Sequence, residues 1–131
     1  MTQFPWFRFY PEMIDDQKIV YLSRKLMMPK FAIVGIWAML LSRASNSPIR
    51  GALYITDTLP YTDDHLAADF DMDIERWKII RSAFFDMDLL ENYSGAIHIK
   101  NWDKRQYTSD YSSSRVAKFR KQKKEEEQIL E

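Results

Sequence analysis

The middle of this chain holds two short helical stretches joined by a tight polar turn, followed at once by a strand, a turn and a second strand. After Pro60, Thr62 or Asp63 offers an N-cap oxygen to a short helix containing Leu66, Ala67 and Phe70. Asp71 and Met72 make the turn. Asp73 then caps a longer helix, about residues 74–87, with Ile74, Trp77, Ile80 and Phe84 spaced to face a core. Asp88 to Glu91, Asn92 to Gly95 and Ala96 to Ile99 read as strand, turn and strand. No other feature of the chain restricts its fold as much.

The N-terminal half supplies the rest of the core. Asp15 and Asp16 can cap a helix of about residues 17–27, with Ile19, Leu22 and Leu26 at helical spacing. Pro29 closes it and suits the start of the next. That second helix, about 30–45, is apolar on nearly every side, which predicts a buried spine. Phe31, Val34, Trp37 and Leu41 form one stripe, with Ile33, Ile36 and Leu40 beside it. Ala52 to Ile55 is a strand candidate ahead of the helix pair. A helix-turn-helix followed by a hairpin, with a strand before it, is the winged-helix order. The expected class is α+β, mainly α: a winged helix-turn-helix with a small β-hairpin wing and a C-terminal basic helical tail. Residues 1–103 are expected to form the domain, and 104–131 a charged tail leading toward a further region. Trp6, Trp37 and Trp77 are expected in the core.

Composition sets the outer limits. The 131 residues are 46% hydrophobic and 15% aromatic, enough for one core without a staple, and the chain has no cysteine. The apolar run from Phe31 to Leu41 is too short to span a bilayer, which takes about 20 residues. No basic leader with an apolar block opens the chain. The expectation is a cytoplasmic protein that makes no membrane contact.

A formal net charge of zero conceals strong segregation. Residues 1–103 carry 11 basic and 14 acidic side chains, a balance of −3. Residues 104–124 carry 8 basic and one acidic, a balance of +7, and four glutamates follow. Cations gathered in this way suit a polyanion, because each phosphate neutralised releases counterions. Lys104, Arg105, Arg115, Lys118, Arg120 and Lys121 are candidate DNA contacts from this segment. Tyr107, Tyr111 and Phe119 lie among them and could stack on bases or sugars. Lys100 is a further candidate, just after the second wing strand. The helix at 74–87 should expose Arg76, Lys78, Arg81 and Ser82, and is about 20 Å long, a size that suits a major groove. A solvated charged surface is the plainer reading of that face. Asp69, Asp71, Asp73 and Glu75 make its entrance acidic, which opposes phosphate.

Catalytic chemistry finds little footing. His65 and His98 are the only histidines, there is no thiol, and Gly35, Gly51 and Gly95 are too dispersed for a phosphate loop. The acids at 69–75 lack the glycine and the bidentate glutamate of a calcium loop, since Ile74 and Ile80 stand there. No cofactor, no metal and no enzymatic activity are expected.

Three stretches carry a likeness to a known family. They are Trp6 to Met13 with Asp15, Asp16 and Lys18; Pro60 to Ala67; and Asn101 to Lys121. The last holds Trp102-Asp103, Arg105-Gln106, Ser109-Asp110, Arg115-Val116 and Phe119-Arg120 in a familiar order. On these residues the chain resembles the N-terminal domain of phage replisome organiser proteins, related to DnaD-type replication-initiation proteins. The resemblance implies a winged helix that binds double-stranded origin DNA and recruits host helicase-loading or primosome proteins. The alternative is a protein-interaction module in which the winged helix self-associates as a homo-oligomer.

Overall fold

A computed structural model of the chain describes residues 6–106. Its elements run α1 (Gln17–Leu26), α2 (Lys30–Ser45), α3 (Asp63–Asp69), α4 (Ile74–Asp86), β1 (Leu90–Tyr93), β2 (Ala96–Ile99) and α5 (Trp102–Arg105), with a 3-10 turn at Pro11–Asp15 ahead of them. This is an α+β, mainly helical fold with a two-stranded antiparallel hairpin, in keeping with a winged helix.

Local chemistry sets the helix ends. Asp16 accepts from the Lys18 amide at the start of α1. Met27, in a left-handed conformation with φ 54°, stops α1 one residue short of the expected end. The Met28 amide then donates back to the Ser23 carbonyl, as in a Schellman closure. Thr62, rather than Asp63, caps α3, and His65 reciprocates toward the Thr62 amide in a capping box. Asp73 caps α4 through the Glu75 amide at 3.1 Å.

The core lies where α1, α2 and α4 meet the hairpin. Ile19, Leu22, Ile33, Leu40, Trp77, Ile80 and Phe84 are fully buried, and Trp37 and Phe84 rings lie 6.1 Å apart. Full burial of one such aliphatic side chain contributes roughly 1.5–3 kcal/mol. Two aromatic expectations need correcting. Trp6 is exposed on the N-terminal arm, and Phe31 is 80% exposed although Ile33, two residues on, is fully buried. Among the described residues no single helix is long and apolar enough to cross a membrane.

The hairpin pairs Leu90 with Ile99 and Tyr93 with Ala96. Ser94 and Gly95, with φ 53° and 79°, make the turn between them; positive φ at both central residues matches the right-handed twist of the strands. The expected strand at 52–55 is not a regular strand but a seam beside β2. Leu53 donates to the Ile97 carbonyl and Ile99 donates to the Gly51 carbonyl, both at 2.8 Å, with an isolated bridge between Ala52 and His98. Gly51 has φ 95°, and a Cβ there would stand 2.7 Å from Trp102 Cγ. Only glycine fits under that indole.

Candidate nucleic-acid interface

The outward side of α4 is one of the candidate surfaces, and its two arginines are committed elsewhere. Arg76 Nη2 donates to the Leu26 carbonyl at 3.1 Å, satisfying an orphan acceptor at the end of α1. Arg81 Nη1 lies 2.6 Å from Asp63 Oδ2, while Asp63 Oδ1 accepts from Trp77 Nε1 at 2.8 Å. One carboxylate at the start of α3 therefore braces both the core tryptophan and the arginine of α4. Lys78 is more open, 3.7 Å from Glu75 one turn earlier, and Ser82 is exposed.

Ile79 lies between them and is 55% exposed. The Arg76 bond draws the α1–α2 turn toward this surface, and Met27 in that turn is 92% exposed. A shallow groove between α1 and α4 is lined by Lys25, Leu26, Lys78, Ile79, Ser82 and Asp86, with Lys25 and Asp86 paired at 3.6 Å across it. Its character is mixed and partly apolar. Periodicity could have flagged Ile79, which adjoins Ile80 and cannot share its face.

At the foot of the wing, Lys100 Nζ sits 3.4 Å from both Asp88 and Glu91. The attraction of Asp88, with hydrogen bonds to both acids, raises the Lys100 ammonium above its ordinary value. Tyr93 is 68% exposed near the wing tip.

Lys104 and Arg105 are exposed on α5, which continues to Arg105. The Arg105 guanidinium lies 5.6 Å from the Tyr10 ring centroid, and Tyr10 donates its hydroxyl to the Arg105 carbonyl. The next residue, Gln106, is 4% exposed. Its Nε2 donates to the Arg8 carbonyl and its Oε1 accepts from the Arg8 amide, both at 2.6 Å. The N-terminal arm is thus pinned to the last described turn. Sequence reasoning did not assign Gln106 a role, although it fell inside one of the stretches that carried the family likeness.

Residues 6–106 hold 13 basic and 14 acidic side chains. The described body has no cationic surplus, and several of its cations already face its own acids. Arg115, Lys118, Arg120 and Lys121 lie outside the described residues, as do Tyr107, Tyr111, Phe119 and the expected tail helix. Among the described residues no group of three or more histidine, aspartate or glutamate side chains is arranged to hold a metal ion.

A family model described as N-terminal phage replisome organiser matches residues 6–127. No curated protein and no solved structure matches the chain.

Proposed function

The chain belongs to the N-terminal phage replisome organiser family, and on that premise we propose that it is the DNA-binding module of a phage replication-initiation protein. Family membership points to partners within the replication machinery; binding of double-stranded origin DNA, recruitment of host helicase-loading proteins and a cytoplasmic site of action belong to the proposal.

Charge placement carries this reading. Residues 1–103, with 11 basic and 14 acidic side chains, offer little to a polyanion, whereas residues 104–124 hold a surplus of seven positive charges. Lys104, Arg105, Arg115, Lys118, Arg120 and Lys121 are the principal contacts in this reading. Lys78, Ser82 and Lys100 are secondary, and Arg76 and Arg81 act mainly by bracing α4.

Fluorescence anisotropy on a labelled duplex tests it. If about five phosphates are neutralised, log affinity falls with log salt at a slope near −4.5. Alanine at Arg115, Lys118, Arg120 and Lys121 together, or a chain ending at Gln106, should abolish most of the binding. Unchanged affinity in either variant would place the interface elsewhere.

A second reading is favoured by one observation, the exposure of Met27 and Ile79 at the α1–α4 groove. Both charge signs line that groove, as a self-complementary two-fold contact requires. If this is the assembly surface, sedimentation should show a salt-insensitive dimer that Ile79→Lys returns to monomer.

A further inference from the structure

A cavity of about 190 Å³ lies between the N-terminal arm, α2 and the last turns of the described chain. Phe9 and Met13 line it on the arm side, Trp37 and Leu41 on α2, and Ile99 and Trp102 beyond them. From this arrangement we propose that the cavity receives the side chain of one tyrosine from a partner protein, with Trp37 as hydrogen-bond donor to the phenol oxygen. The proposal concerns a protein contact and does not rest on the DNA-binding reading.

Size limits the occupant. Sites for whole cofactors or drug-sized ligands run to roughly 300 Å³ or more. An apolar cavity of about 150 Å³ takes one benzene. This space therefore suits a single ring with a small substituent.

Chemistry narrows the choice further. Trp37 is 5% exposed, and its Nε1 is covered with no hydrogen-bond partner among the described residues. Trp77 stands in contrast, since its Nε1 donates to Asp63. A covered donor without a partner calls for an acceptor. Phenylalanine and leucine bring none, and an indole only donates. Tyrosine joins a ring to an oxygen that accepts from Trp37 and keeps its own proton for a carboxylate such as Asp16 or Asp88.

The charges favour a neutral group. Three acids, Glu12, Asp16 and Asp88, and three bases, Lys18, Lys100 and Arg105, line the cavity. Lys100 is shared equally between Asp88 and Glu91, so no cationic surplus is left for an anion. An uncharged occupant fits this balance, because a buried charge needs a partner of its own. The arm-side wall is held by the two Gln106–Arg8 bonds and by Tyr10 on the Arg105 carbonyl. A wall already in place costs little ordering when a side chain enters, and tyrosine is common among interface anchors.

The test uses the full chain and two pairs of probes: p-cresol with toluene, and N-acetyl-tyrosinamide with N-acetyl-phenylalaninamide. Within each pair only the phenol oxygen differs. Both phenols should shift the Leu41 and Ile99 methyl NMR signals saturably and move the Trp37 indole proton downfield, with the Trp77 indole unmoved. Each should bind roughly tenfold tighter than its counterpart, the effect of one buried hydrogen bond. In Trp37→Phe that preference should vanish while ring binding persists. Met13→Trp fills the cavity from the 3-10 turn and should abolish every response, so a second variant is at hand if Trp37→Phe unfolds. Toluene binding as tightly as p-cresol marks a plain apolar hole and overturns the proposal. A p-cresol response that N-acetyl-tyrosinamide does not reproduce indicates a free small molecule and overturns a protein partner. A response seen only after Tyr107→Ala and Tyr111→Ala together assigns the cavity to the chain's own tyrosines, and overturns a partner as well. No response to either phenol overturns it outright.

Discussion

Arg81 on α4 and Asp63 at the head of α3 form an ion pair at 2.6 Å, with side chains 32% and 22% exposed. The same carboxylate accepts from Trp77 Nε1. Helices α3 and α4 are therefore tied through a half-buried group, and an arginine that the sequence offers to DNA serves the fold. Asp63→Ala leaves a buried indole N–H and a half-buried guanidinium without their acceptor. The expected loss is roughly 1.5–3 kcal/mol, measured by urea or thermal unfolding. At about 4 °C per kcal/mol, the melting temperature should fall by several degrees. An unchanged midpoint would show that the pair contributes nothing.

Gln106 joins the two ends of the described chain across 98 residues of sequence. Removing its amide in Gln106→Ala should loosen the arm without melting the core, because the arm supplies no fully buried member of the core cluster and only Phe7 of the arm packs against it. The Arg8 amide should exchange its hydrogen much faster while amides of α2 keep their protection. Retained protection at Arg8 would mean that other contacts hold the arm.

Gly51→Ala combines left-handed strain with a 2.7 Å approach to Trp102. A cost of roughly 2 kcal/mol or more is expected from the backbone and the displaced indole together. Unfolding midpoint and the Trp102 indole NMR shift both report it. A variant with native stability and an unmoved indole signal would contradict the packing described.

Lys100 gives the wing a pH dependence. Asp88, helped by hydrogen bonds to both acids, raises its pKa in the folded state above the ordinary 10.5. The folded form thus holds this proton more tightly than the unfolded chain. The stabilisation is complete below the unfolded value and disappears as pH rises through the folded one. Hairpin stability should therefore decline above about pH 10.5 in the native chain and less steeply in Lys100→Gln, followed by NMR of the β1 and β2 amides. Parallel pH profiles would remove Lys100 from the account.

Much of the architecture is legible without coordinates because it depends on neighbours close in sequence. The oxygens of Asp16, Thr62 and Asp73 lie two or three residues from the amides they cap, and Ser94-Gly95 reverses the chain locally. Spacing alone marks Leu22, Leu40, Trp77 and Ile80 as inward-facing, and the +7 segment is read by counting. The candidate site was much less legible. Helical periodicity says that Arg76 and Arg81 point away from the core, but not that Leu26 and Asp63 wait for them 50 and 18 residues away. It likewise cannot seat Arg50 on Trp102, clamp Gln106 to Arg8 or leave Trp6 outside the core. Hydrophobic pattern and capping are short-range properties of the chain, whereas the pairing of charges depends on which surfaces the packed helices bring within about 3 Å. Tertiary structure alone decided which cations are spent on the fold and which face solvent.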